Sequence, residues 1–113
     1  MSGMAHRRYP CAACPWRRDT DPGQFPACRY DALAATVGAP GREAGVSAPM
    51  FACHKSPEGR EEACAGWLAV AGIEHLGVRL AVALGDLPTS ALRPGDNWPP
   101  LFDTYDEMAA AIE

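Results

Sequence analysis

Apolar residues recur at helical spacing in several stretches of the chain, separated by segments rich in Gly and Pro. Tyr30, Leu33 and Val37 follow each other at intervals of three or four, with Pro26 suited to a first turn and Gly38 to a stop, so the spacing predicts a helix from Pro26 to Val37. A second helix is expected from about Gly59 to Ala71. Ser56-Pro57 has the form of a helix start, Glu58, Glu61 and Glu62 fall where the helix dipole favours acids, and Cys64, Trp67, Leu68 and Ala71 share one face. Gly72 breaks it. Ile73 to Leu84 then continues with Ile73, Leu76, Leu80 and Leu84 on one stripe. Val78, Leu80, Val82 and Leu84 also alternate as a strand would, and helix is preferred over that reading. Thr104 and Glu107 form a capping-box pattern that starts a short C-terminal helix over about 104–113. Met50 to Cys53, a short apolar run after Pro49, reads as a buried strand, and Gly38 to Pro49 as a flexible surface loop. The elements add up to a mainly helical domain with little sheet.

Composition changes that picture in one respect. With 113 residues, 48% of them hydrophobic, the chain can build one core and not two, so 1–113 is expected to be a single domain with its core at about 9–85. Eleven Gly and eleven Pro imply long stretches of turn that bury little surface, and the core needs reinforcement. Five cysteines offer it, as disulfides or as metal ligands. No apolar stretch follows His6, Arg7 and Arg8, which argues against a secretory signal, and the longest apolar run, Leu76 to Leu84, contains Arg79 and is far short of a bilayer span. A cytoplasmic protein without membrane association is expected. In a reducing cytosol, a cysteine cluster is better explained by metal binding than by staples.

Cys11-Ala12-Ala13-Cys14 is the strongest chemical signal, because two intervening residues let the chain turn back and present both thiolates to one ion. Cys53 and Cys64 complete a set of four, and Trp16, Phe51 and Trp67 can wall it from water. His54 is the alternative to Cys53. Neighbours on an extended segment point to opposite sides, so the two cannot both reach the same ion. Cys28 is expected to be a small buried hydrophobe outside the site. Four thiolates with no open position describe a structural Zn2+ site. A 4Fe-4S cluster is the rival, since Pro15 after Cys14 resembles the Cys-Pro ending of some cluster motifs. Thiol redox catalysis is disfavoured, because no strand precedes the pair and Pro10 and Pro15 flank it. The expected fold is a small α+β domain, mainly helical, loop-rich and organised around one metal site.

The net charge of −4 is unevenly placed, positive through Tyr30 and negative beyond it. Arg7, Arg8, Arg17, Arg18 and Arg29 can surround the first cysteine pair, with Arg17 and Arg18 placed to meet phosphates or an acidic protein surface. Ordinary solvated arginines are the plainer reading. A sequence pI of about 5.3 argues against a strong non-specific nucleic-acid binder. Asp19, Asp21, His54, Lys55 and His75 are acid–base residues without a catalytic spacing. An interaction or regulatory module is therefore favoured over an enzyme.

The motifs Cys11-Ala12-Ala13-Cys14-Pro15-Trp16-Arg17, Gly23-Gln24-Phe25-Pro26, Phe51-Ala52-Cys53-His54-Lys55 and Cys64-Ala65-Gly66-Trp67 resemble those of an uncharacterised small cysteine family of actinobacteria and their phages, domain of unknown function 6283. They span most of the chain, from Cys11 to about Leu84. The resemblance implies a protein built around the motif cysteines, with Cys28 outside them, and implies no settled activity.

Overall fold

Residues 62–64 form the central extended segment, bonded along both edges. The computed structural model describes residues 5–11, 14–19, 33–53 and 61–111. On one edge of the segment Ala63 N–H donates to Ala5 O at 3.0 Å and Arg7 N–H to Ala63 O at 2.9 Å, a parallel bridge centred on His6. On the other, Cys53 N–H donates to Glu62 O at 2.7 Å and Cys64 N–H to Phe51 O at 3.0 Å, an antiparallel bridge between Ala52 and Ala63. Three distant pieces of chain are thereby joined. Further single bridges tie Arg17 to Leu101 and Ala44 to His75.

Among the described residues three α-helices pack around this frame: α1 (Ala65–Ala71), α2 (Leu76–Ala83) and α3 (Tyr105–Ala111). Helix α1 begins directly after the bridge and buries Trp67, Leu68 and Ala71, as its apolar spacing requires. A 3-10 turn over Gly72–Glu74 leads to His75, which is extended and caps α2. The ring's Nδ1 accepts from Gly77 N–H at 3.0 Å and Val78 N–H at 3.3 Å, two donors that a helix start leaves open. Those partners place the proton of the neutral ring on Nε2, which faces Ala48 O at 3.1 Å and Pro49 O at 3.2 Å. His75 is fully buried and packs edge-on against Trp67 with ring centroids 5.5 Å apart. It is a structural residue.

The chain between Val37 and Pro49 is tied down more than a flexible loop would be. Ala39-Pro40-Gly41-Arg42 closes a tight turn with bonds in both directions between Ala39 and Arg42. Gly41 supplies the positive φ, +81°, that the residue after Pro needs in a type II turn. Beyond it, Ala44 is bonded to Glu74 and Leu76, and the carbonyls of Ala48 and Pro49 meet His75.

Several expectations change. The second helix starts at Ala65 rather than near Gly59, and Cys64 is an extended cap (φ −67°, ψ 129°) instead of a helix-face residue. Long-range backbone pairing of 62–64 wins over the local preference of Glu61 and Glu62; Gly59 lies outside the described residues. The helix expected over Pro26–Val37 is described only from Leu33, which is helical and leads into a 3-10 stretch, Ala34–Thr36, that ends at an extended Val37. Met50 to Cys53 is extended, but only Ala52 bridges, and Met50 is exposed. Helix α2 confirms the helical choice, yet the stripe Ile73, Leu76, Leu80 and Leu84 faces outward, and Gly77 and Val78 are the buried side. Among the described residues the molecule is small, mainly helical and held by isolated bridges instead of a sheet. No helix among them is long and apolar enough to cross a membrane.

At α3 the capping box is present but displaced by one residue. Glu107 N–H donates to Thr104 Oγ1 at 3.1 Å, while Glu107 Oε1 reaches Asp103 N–H, not Thr104 N–H, at 2.7 Å. The Asp103 N–H, and after it Arg18, hold the Glu107 carboxyl below its usual range. Its stabilising effect is therefore present above the ordinary carboxylate pKa and is lost as pH falls through the lowered folded value. Thr104→Ala is expected to cost about 1 kcal/mol in urea unfolding. Glu107→Gln should flatten the acid limb of the stability curve, and an unchanged acid limb would show that this carboxylate has no part in it.

Candidate functional site

The four motif cysteines reach the site by different routes. Around Cys14 the chain makes consecutive turns, with Cys14 N–H donating to Cys11 O at 3.0 Å and Arg17 N–H to Cys14 O at 3.2 Å. This is the turn-back that two intervening residues allow. Cys53 and Cys64 flank the Ala52–Ala63 bridge, and alternation along extended chain puts both on the face opposite Ala52 and Ala63. Cys14, Cys53 and Cys64 are buried and Cys11 is half-buried, all four as free thiols.

Cys14 Sγ and Cys64 Sγ stand 3.5 Å apart in the interior. A disulfide would need about 2.05 Å. The pair shares a hydrogen bond, and its two thiols are driven apart in acidity: the bond from Cys64 lowers the Cys14 pKa, helped by the Trp16 and Arg17 backbone N–H groups. The same bond, then burial, and then the neighbouring thiols Cys14 and Cys53 raise that of Cys64. Among the described residues no three of His, Cys, Asp and Glu stand together as ready ligands for one ion. His54 and Cys28 lie outside the described residues, as do Asp21, Lys55 and Arg29.

The contact depends on Gly66, in the first turn of α1. A Cβ at this position would fall 2.8 Å from Cys14 Sγ and 2.9 Å from Trp16 Cβ, so only glycine lets the helix lie against the cysteine turn. Sequence reasoning passed over this residue. The available signal was a glycine in the interior of the expected helix, where it costs about 1 kcal/mol against Ala, beside a motif cysteine.

Trp16 and Trp67 each have partners of their own. Both are fully buried; Trp67 donates through Nε1 to Thr36 O at 3.3 Å and meets His75, whereas Trp16 packs against Tyr105 with centroids 6.2 Å apart. Phe102 N–H bonds to Trp16 O at 3.0 Å, which fastens the C-terminal segment beneath the cysteine turn. Trp16 Nε1 is buried with no acceptor among the described residues, a cost of about 1–3 kcal/mol. Arg17 and Arg18 are engaged within the molecule. Arg17 holds the Asp19 carboxylate at 2.8 and 2.9 Å and the Cys11 carbonyl at 3.2 Å. Arg18 reaches Glu107 at 2.7 Å and Leu101 O at 2.9 Å and lies over the Phe102 ring. A phosphate or acidic surface would have to compete with those contacts.

A family model described as a family of unknown function (DUF6283) matches residues 6–113. No curated protein and no solved structure matches the chain.

Replacing a helical Gly by Ala ordinarily stabilises by about 1 kcal/mol. Gly66→Ala should instead destabilise by about 1–3 kcal/mol, because a methyl group is forced into an occupied space. Urea midpoints of the variant and the parent chain decide the sign, and a more stable variant would mean that α1 does not press on Cys14.

Proposed function

We propose that this chain, which belongs to the DUF6283 family of unknown function, is a small cytoplasmic metal-binding module holding one structural zinc ion through Cys11, Cys14, Cys53 and Cys64. The observation that carries this reading is the buried approach of Cys14 and Cys64 at 3.5 Å. Two thiolates on a tetrahedral zinc stand roughly 3.8 Å apart, given Zn–S bonds of about 2.3 Å. Those two sulfurs need move little. Cys53 lies on the same face as Cys64, and Cys11 is joined to Cys14 by the tight turn, so each brings a further thiol toward the pair.

Because the four are not gathered as ready ligands, binding would draw Cys11 and Cys53 inward and add its free energy to folding. A site closed by four thiolates leaves no position for a substrate, which favours an interaction or regulatory role over catalysis. The iron–sulfur reading keeps one observation of its own: Trp16 Nε1 is a buried donor without an acceptor among the described residues, and cluster sulfurs accept such bonds.

Elemental analysis of protein purified without oxygen is expected to give one zinc per chain. Cys11→Ser, Cys14→Ser, Cys53→Ser and Cys64→Ser should each lose metal and stability together, and Cys28→Ser should retain both. Iron with inorganic sulfide in a brown protein would replace zinc by a cluster. Metal content unaffected by any of the four substitutions would remove the site.

A further inference from the structure

Away from the cysteines, a cavity of about 450 Å³ opens between the N-terminal segment and the chain around Arg93 to Trp98. Its wall includes His6, Arg7, Arg8, Arg93 and Trp98, and no carboxylate among the described residues lines it. The chain as a whole carries −4, so this concentration of cations runs against the general charge. Arg7 is partly neutralised by Glu62, 3.2 Å away. Arg8 and Arg93 are exposed and have no ion-pair partner among the described residues.

Both walls are held in place before any ligand arrives. The first is fixed by the His6–Ala63 bridge. The second follows the 3-10 turn Thr89–Leu92, whose Leu92 presses so closely on Gly72 that a Cβ there would lie 2.9 Å from its Cδ2. Trp98 is set by Gly95, where a Cβ would stand 2.6 Å from the indole Nε1, and by Tyr9, whose ring meets it edge-on at 6.2 Å. Tyr9 is itself tethered through its hydroxyl to Asn97 O at 3.4 Å.

We infer that this cleft binds a mononucleotide, its phosphate held by Arg8 and Arg93 and its base stacked on Trp98. Guanidinium groups match phosphate oxygens in charge and in the geometry of paired N–H donors. An indole offers a face to any base, worth about 1–3 kcal/mol. The volume lies in the range of small-ligand sites, and a ligand with one anionic end and one planar end uses both features of the wall. The inference is independent of the metal at the cysteines.

Calorimetric titration with adenosine 5′-monophosphate, adenosine and inorganic phosphate tests it, with tryptophan emission followed in parallel. Trp16 and Trp67 are fully buried, so quenching by a base reports on Trp98. The monophosphate is expected to bind more tightly than either half and to quench emission. Arg8→Glu with Arg93→Glu, in a variant whose circular dichroism is unchanged, should weaken it about tenfold or more. Trp98→Leu should bring the affinities for monophosphate and inorganic phosphate together. No heat with the monophosphate at millimolar concentration, or binding indifferent to the Arg8 and Arg93 changes, overturns the site. Equal affinity of the parent chain for phosphate and monophosphate overturns the stacking role of Trp98. A short oligonucleotide that binds more tightly than the monophosphate overturns the choice of ligand in favour of a strand.

Discussion

The arrangement depends on the two-edged backbone pairing of residues 62–64. Ala63 spends both its N–H and its C=O on the N-terminal segment, and its neighbours Glu62 and Cys64 bond to Cys53 and Phe51. This one extended stretch fixes where α1 begins, puts Cys53 and Cys64 on a common face and seats one wall of the basic cleft. An open pair of strands is marginal in water. Here the pairing persists because Ala63, Cys64 and the first turns of α1 are buried around it.

Helix α1 carries the second constraint, close approach. Gly66 lets its first turn touch Cys14 and Trp16, while Trp67 and Leu68, the next two residues, fill the interior. The cysteine turn is then pressed between α1 and the C-terminal segment, where Phe102 bonds to Trp16 and Arg18 spans Leu101 and Glu107. Exposed ion pairs of that kind contribute little singly. Their combination with the Trp16–Tyr105 contact docks α3, whose single fully buried side chain is Met108.

Much of the local structure was legible in the sequence because local chemistry decided it. The break at Gly72, the helical character of Leu76–Ala83 and the Thr104 cap all follow from residues within a turn of one another. The turn at Cys11–Cys14 belongs to the same class. Other features came from partners far along the chain. The start of α1 was misplaced because nothing near Glu61 announces a pairing with Phe51 and Ala5, and periodicity gave Cys64 a helical direction that the extended backbone removes. Likewise, the stripe on α2 gave a helix correctly and an orientation not at all, since Gly77 lies so close to Val46 O and Met50 that a Cβ there would stand 2.9 and 3.0 Å from them, nearer than any leucine of the stripe could come. His75 was read as an acid–base residue, and its two backbone donors and two carbonyls make it a helix cap.

The two touching thiols stand 50 positions apart in the chain, and the Arg18–Leu101 bond closes a span of 83. Loop-closure entropy grows only logarithmically with such distances, so they cost modest stability, but contacts of long sequence separation slow the search for the native pairing. Helices α1 and α2, with their connecting turn, are local and can form early. The cysteine turn waits for both α1 and the C-terminal segment. On that ground the sulfur pair is expected to close after the local helices, with its thiols open to oxidants until it does.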